Sequence, residues 1–407
     1  MENIQRQTDF PCSGCAACAA ICPRGAIRLE PDDSGLLTAR VNETLCIDCG
    51  LCINVCDRFS DEIRGRDLRE SPLYAVQSTD AVTIKNCSSG GLAHELAVWT
   101  LRRGGKVVGA VYDTQTDRVR HETVCSEAGI AALDGSKYLQ SDPQEAFGKA
   151  IAEAKRDPSV SFTVFGTPCQ IAGLAKACEI TKVRGRFILV EIFCHGVPPY
   201  GIWENQLERM RKKLKADRFD SVRFRYKKDD WHSYCIRADA GNKTFYGSRE
   251  REPFWHIYFE NVLLGDACMT CRLRKEISSA DLRIGDYWGR RYQNRSDGVS
   301  AAFALTDTGR AAMEELLRSG AVTALDPSSP EEMLRAQNMA GYANEAAHRR
   351  AMELIKNGAP LKKAVRAYRR MEPAKRRLKR AMLRLSYLLP GGVRARLKRA
   401  RSAGPRV

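Results

Sequence analysis

Cys12-Ser-Gly-Cys15-Ala-Ala-Cys18-Ala-Ala-Ile-Cys22-Pro23 is echoed further on by Cys46-Ile-Asp-Cys49-Gly-Leu-Cys52-Ile-Asn-Val-Cys56, the same Cys-x2-Cys-x2-Cys-x3-Cys run used twice. Three cysteines at two-residue gaps let one tight loop wrap three corners of an iron–sulfur cubane. The fourth, displaced by three, is expected to head a short helix and to reach the neighbouring cluster. One 4Fe-4S cluster is therefore expected on Cys12, Cys15, Cys18 and Cys56, and a second on Cys46, Cys49, Cys52 and Cys22. Small residues between the ligands (Ser13, Gly14, Ala16, Ala17, Gly50) leave room for backbone N–H groups near the sulfides. CxxC pairs also bind zinc, but zinc takes four ligands and a duplicated set of eight fits it poorly. Asp57 stands where Pro23 stands in the first run.

The rest of the composition agrees with an intracellular metal protein. The chain has 407 residues, 16 of them cysteine, and 43% are hydrophobic, enough for two or three domains with their own cores. Tight cysteine clusters point to thiolate ligands in a reducing compartment rather than to disulfides. The polar start, Met1 to Phe10, lacks a signal-peptide core, and runs such as Phe187-Ile-Leu-Val190 fall far short of the roughly 20 apolar residues that span a bilayer. A cytoplasmic protein is expected. The net charge of +17 is local: Leu361–Val407 holds seventeen Lys and Arg against Glu372 alone, which leaves about +1 for the body.

Residues 1–66 form the cysteine-rich unit, an α+β two-cluster ferredoxin-like domain. Short apolar runs then alternate with helical patterns. Strands are expected at 74–77, 106–112, 161–165 and 186–192, and helices at 91–103, 143–155, 170–178 and 200–215. This alternation predicts an α/β mixed-sheet domain, partly parallel, over 71–310. Residues 219–248 read as antiparallel strands, and the chain beyond 307 as helical: an extension over 311–372, then a basic amphipathic tail over 373–407.

Four further cysteines read together. Cys169 and Cys194 each follow a predicted strand, at the carboxyl edge where α/β sheets assemble ligand sites; Cys268 and Cys271 form a CxxC. Together they make a candidate third 4Fe-4S site, against a lone redox thiol at Cys169 and a zinc half-site at the pair. Ser88-Ser89-Gly90-Gly91, before a predicted helix, offers hydroxyls and helix N–H groups suited to a pyrophosphate. No GxGxxG follows a strand, so a nicotinamide site is not indicated. Cys87 is read as a non-ligand. The six histidines, His195 among them, have no metal or triad spacing and are read as structural.

Segments in order, Ser88-Ser-Gly-Gly91, Gly135-Ser-Lys-Tyr138, Phe165-Gly-Thr-Pro-Cys-Gln170, Cys194-His-Gly-Val-Pro198, Cys268-Met-Thr-Cys271 and Asp281-Leu-Arg-Ile-Gly-Asp-Tyr-Trp-Gly289, resemble the family of coenzyme F-420 hydrogenase/dehydrogenase beta subunits, in the form with a fused two-cluster ferredoxin. The likeness covers about residues 10–310. It implies an iron–sulfur flavoprotein in which FAD exchanges a hydride with an organic partner, coenzyme F-420 among the candidates, and single electrons with the clusters. It also implies the third cluster, with Lys137 on phosphate and Tyr138 on the isoalloxazine ring. Asp281 and Asp286 are open between orienting ligands and capping turns, and Trp288 reads as core. A redox partner protein, a ferredoxin or a dehydrogenase subunit, follows from the same likeness. The rival reading is a non-catalytic electron-transfer subunit of a larger redox complex.

In the tail, Leu378, Met382, Leu385 and Leu389 repeat at helical spacing amid Lys and Arg. Such a helix suits an anionic membrane surface, hence peripheral attachment at the inner face of the membrane, or a partner protein, or packing on its own domain. Nucleic acid is the least favoured partner.

Overall fold

A computed structural model describes residues 3–6, 8–228, 230–337, 344–374, 376–378 and 382. The chain divides into two compact units, Met1–Gly341 and Tyr342–Val407.

The first unit opens with α1 (Ala17–Ile21), the hairpin β1 (Ile27–Pro31) and β2 (Leu37–Val41), and α2 (Leu51–Asn54). Cys22 closes α1 instead of heading a helix, whereas Cys56 does head a 3-10 turn, Asp57–Phe59. β3 (Arg66–Asp67) and β4 (Leu73–Ser78) lead to α3 (Ala81–Asn86) and α4 (Leu92–Arg102). Next come β5 (Lys106–Asp113), β6 (Arg118–Val124), α5 (Ile130–Leu133), β7 (Ser141–Asp142) and α6 (Gln144–Arg156). The βα alternation continues through β8 (Phe162–Gly166), α7 (Pro168–Ile180), β9 (Phe187–Ile192) and α8 (Tyr200–Leu214). An antiparallel sheet follows, β10 (Ser221–Tyr226), β11 (Cys235–Ala240) and β12 (Lys243–Ser248), as the alternation in 219–248 anticipates. After α9 (Pro253–Phe259) and α10 (Asp266–Met269) come β13 (Ile277–Ser278), β14 (Leu282–Asp286), β15 (Ser300–Ala304), α11 (Asp307–Arg318), β16 (Val322–Leu325) and α12 (Pro330–Ala336).

The main sheet runs β16-β4-β15-β14-β9-β8-β5-β6-β7. Its centre, β14, β9, β8 and β5, is parallel; both faces are covered, and Val164, Leu189, Val190 and Leu282 are fully buried. The chain beyond 307 is not helical throughout, because β16 returns to pair with β4. A four-residue strand at a sheet edge leaves little periodicity to read. The cysteine-rich unit shares the core of the sheet domain: Ala17, Ile21 and Val55 cluster with Phe147, Ile171 and Leu174. β3 also pairs with β13 across the sequence.

In the second unit α13 (Glu345–Lys356) and α14 (Leu361–Arg370) pack together through Ala347, Ala351, Ala364 and Tyr368. Of the expected tail stripe, Leu378 and Met382 are exposed; Leu385, Leu389 and most of 373–407 lie outside the described residues. Among the described residues no helix is long and apolar enough to cross a membrane.

Candidate functional site

The two cluster loops repeat one backbone shape. Gly14 and Ala16 in the first have φ of 67° and 63°, and Asp48 and Gly50 at the matching positions have 52° and 73°. Two left-handed residues between three ligands turn the loop around a centre. Gly14 N–H donates to Cys12 Sγ at 3.4 Å and Ala26 N–H to Cys22 Sγ at 3.3 Å. Burial raises the thiols of Cys15, Cys18 and Cys56 (Cys56 to about 11), and repulsion among the group adds to it: Cys15 feels Cys18 and Cys56, and Cys18 feels Cys12 and Cys56. Cys22 joins Cys46, Cys49 and Cys52 around a separate small cavity. The exchange of the fourth ligand, expected from spacing, is what brings these two sets together. Four sulfurs converging on each point suit an iron cluster, which takes them as thiolates.

Asp57 has a local explanation. Its carboxylate pairs with Lys176 Nζ of α7 at 2.5 Å, both largely buried, and the same ammonium donates to Ser60 Oγ at 2.8 Å. Arg272 adds bonds from the other side, to Asp57 O at 2.6 Å and Ser60 O at 2.9 Å. An acid in place of proline thus docks the cysteine-rich unit onto the sheet domain.

The second cysteine set also converges. Cys169, Cys194, Cys268 and Cys271 line one cavity of about 100 Å³. Cys169 lies in the first turn of α7, where the helix dipole favours a thiolate, and Gln170 Oε1 accepts from Thr167 N–H at 3.0 Å to fix that turn. Burial, then mutual repulsion, pushes Cys169 up to about 12, and Cys194 is raised by the same two causes. Val197 N–H donates to Cys268 Sγ at 3.4 Å. Cys15 repels Cys169 as well, and a Cβ on Gly173 of α7 would lie 3.4 Å from Cys15 Sγ. The four-thiol site therefore abuts the Cys12 loop.

On its other side lies a cavity of about 490 Å³, within the usual range for cofactor sites. Cys194, Gly196, Thr167 and Gln170 form a wall common to both. Ser88, Ser89 and Gly91 line the cavity where α4 begins. Gly91 is its N-cap at φ 92° and brings no capping side chain; Leu92 N–H reaches Ser300 Oγ at 3.5 Å, and the N–H groups of this helix start suit an anion. The serine hydroxyls serve the loop: Ser88 Oγ accepts from Ser136 N–H at 2.8 Å and Ser89 Oγ donates to Val299 O at 2.8 Å. Gly90 is buried behind, since a Cβ there would lie 2.6 Å from Ser300 N. Lys137 lines the cavity, but its Nζ donates to Ala132, Leu133 and Asp134 carbonyls at 2.7 to 3.2 Å, and burial pulls it down to about 7. Tyr138 stands in an aromatic wall, its ring centroid 4.9 Å from Trp255 and 5.2 Å from Tyr258.

The two aspartates left open by sequence separate. Asp281 is a clamp, bound to Arg184 at 2.9 Å, Leu189 N–H at 2.8 Å and Thr306 Oγ1 at 2.7 Å. Asp286 lines the cavity, pairs with buried Arg225 and accepts from Trp231 Nε1 at 2.8 Å. Trp288, read as core, stacks on Trp231 at 4.9 Å and also lines the cavity. His195 binds Asn261 Oδ1 at 2.7 Å. Sequence reasoning missed Arg225, Tyr234 and His121, which share no motif. His121 is buried on the cavity wall; its Nε2 meets Phe165 O at 3.0 Å and its Nδ1 has no partner, an orphan atom suited to an N–H or O–H from a bound group.

Comparison with known proteins agrees with these two halves. Residues 160–330 match the family described as coenzyme F420 hydrogenase/dehydrogenase, C terminus of the beta subunit, and residues 11–58 match the 4Fe-4S dicluster domain. An uncharacterized protein of Methanocaldococcus jannaschii is 27% identical over 239 residues, 51% of this chain and 63% of that relative. A subunit of the F(420)H(2) dehydrogenase of Methanosarcina mazei is 24% identical over 168 residues, 39% of this chain and 46% of its own length. The chain thus spans less than two thirds of either relative. A chain of the F420-reducing NiFe hydrogenase complex from Methanosarcina barkeri superposes with a TM-score of 0.47 at 17% identity, covering 72% of this chain and 96% of that one. This chain thus joins a dicluster 4Fe-4S domain to a segment that matches the C terminus of the coenzyme F420 hydrogenase/dehydrogenase beta subunits.

Proposed function

We propose that the chain is an iron–sulfur flavoprotein oxidoreductase that couples hydride exchange at FAD to one-electron transfer through three 4Fe-4S clusters. The observation that carries this reading is the shared wall: one side of the four-thiol site faces the Cys12 loop, the other faces the 490 Å³ cavity. FAD, when bound, would supply the step between an electron pair and single electrons. The fit rests on features of the cavity. The Gly91-led start of α4 suits a pyrophosphate, Tyr138 and Trp288 place aromatic rings on the wall, and His121 Nδ1 awaits a donor. Cys169, Cys194, Cys268 and Cys271 would hold the third cluster.

The family and the named relative favour a reduced deazaflavin coenzyme as hydride donor and a redox protein as the electron partner. The test is iron and flavin content of the anaerobically purified chain. About twelve irons with one FAD are expected. About eight irons without flavin would overturn the proposal and leave an electron-transfer subunit. Stopped-flow mixing with reduced deazaflavin then tests the donor: no anaerobic bleaching of bound flavin removes deazaflavin from the scheme.

A further inference from the structure

One cluster of metal-ligating side chains on the wall of the large cavity has no part in the roles assigned above. Cys87 ends α3, His94 lies in the first turn of α4, and Asp134 follows α5; all three line the large cavity. Their ligand atoms lie within 4.8 Å of one another. Cys87 Sγ to Asp134 Oδ1 is 3.6 Å, and His94 Nδ1 to Asp134 Oδ1 is 3.0 Å. In a tetrahedral zinc site, bonds of about 2.3 Å to sulfur and about 2.0–2.1 Å to nitrogen and oxygen place S and O roughly 3.5 Å apart and N and O roughly 3.3 Å apart. The observed separations lie within about 0.3 Å of those edges.

We propose that Cys87, His94 and Asp134 bind a divalent transition metal, Zn2+ by donor type, with the fourth coordination position open to the cavity. A thiolate, an imidazole and a carboxylate form a mixed set that borderline-soft zinc prefers over magnesium or calcium. One thiolate and one carboxylate neutralise the dication, so a half-buried site carries no net charge. Three protein ligands with one free position is the pattern of sites that act on a ligand. A metal here places a Lewis acid beside the start of α4, able to hold a carbonyl or phosphate oxygen of a molecule in the cavity. The ligands come from three separate turns, and binding does not require the flavin.

The experiment is metal analysis of the anaerobically purified full chain and of the Cys87→Ser and His94→Gln variants, with iron measured as the control for folding. About one zinc per chain is expected, falling about tenfold or more in both variants while iron is unchanged. If zinc is lost during purification, added Co2+ should give a high-spin cobalt EPR signal in oxidised protein that the Cys87→Ser variant lacks. Zinc unchanged in both variants would assign the metal to the cluster cysteines and overturn the proposal. No zinc and no Cys87-dependent cobalt signal would overturn it as well. Flavin loss with zinc retained would count against the proposed function and leave the metal site standing.

Discussion

Gly14 and Gly50 occupy equally left-handed backbone but carry different constraints. A Cβ at Gly14 would lie 2.3 Å from Leu37 O, whereas nothing stands within 4 Å of one at Gly50. Gly14→Ala should therefore cost iron, falling by about four per chain, while Gly50→Ala should keep its iron and lose only about 1–2 kcal/mol in anaerobic urea unfolding. Equal iron loss in both would show that φ alone governs the loops. His121 supplies a pH prediction. Burial depresses its imidazole to about 4, below the usual 6.5 of the unfolded chain. Its contribution is then present above pH 6.5 and lost as pH falls toward 4. Between pH 7.5 and 5.5 it should remove about 1.3 kcal/mol of stability. His121→Gln retains a donor for Phe165 O without the titration, so its urea midpoint should fall less over that range. The grouping of Cys22 with Cys46, Cys49 and Cys52 was legible at this scale because the spacing of the two runs reports it. Arg225, His121 and Trp288 were not, because each takes its role from neighbours distant in sequence.

Elements carry the docking of one half on the other. Asp57 and Lys176 join the turn after Cys56 to α7, the helix that also bears Cys169. Lys176→Met would leave the carboxylate largely buried and unpaired, at a cost of about 2–4 kcal/mol. On the proposed reading, electron transfer between the four-thiol site and the Cys12 loop should slow with it, read by rapid-freeze EPR; an unchanged rate would assign Asp57 a purely local role. The strands at β4, β5, β8 and β9, and the helices between them, follow the expected alternation because each is long enough to show its period. The pairing of β3 with β13 involves two residues a strand, too short for any pattern. β16 is likewise an edge strand whose partner lies far back in sequence.

Across the first unit the candidate sites adjoin one another. The cavity meets the four-thiol site, that site meets the Cys12 loop, and Cys18 couples onward to Cys52. In the second cysteine loop Cys49 and Ile47 are exposed, and on the proposed reading a redox partner docks there. On the proposed reading, Cys194→Ser should lower iron by about four per chain and leave the dicluster signal intact. Flavin reduction by a hydride donor should persist while reduction of the dicluster fails. Loss of all iron would instead make Cys194 a folding residue.

The spacing of the two Cys-x2-Cys-x2-Cys-x3-Cys runs determined a dicluster 4Fe-4S domain and the exchange that sets Cys22 beside Cys46, Cys49 and Cys52, because a cubane's corners dictate loop length. The βα rhythm from residue 73 onward determined a sheet with a carboxyl edge where Cys169 and Cys194 meet. Only the tertiary structure decided that the cysteine-rich unit shares the sheet domain's core, that Asp57 is its dock, and that Cys87, His94 and Asp134 converge. Those facts depend on which distant surfaces touch, and local period and spacing hold no record of that.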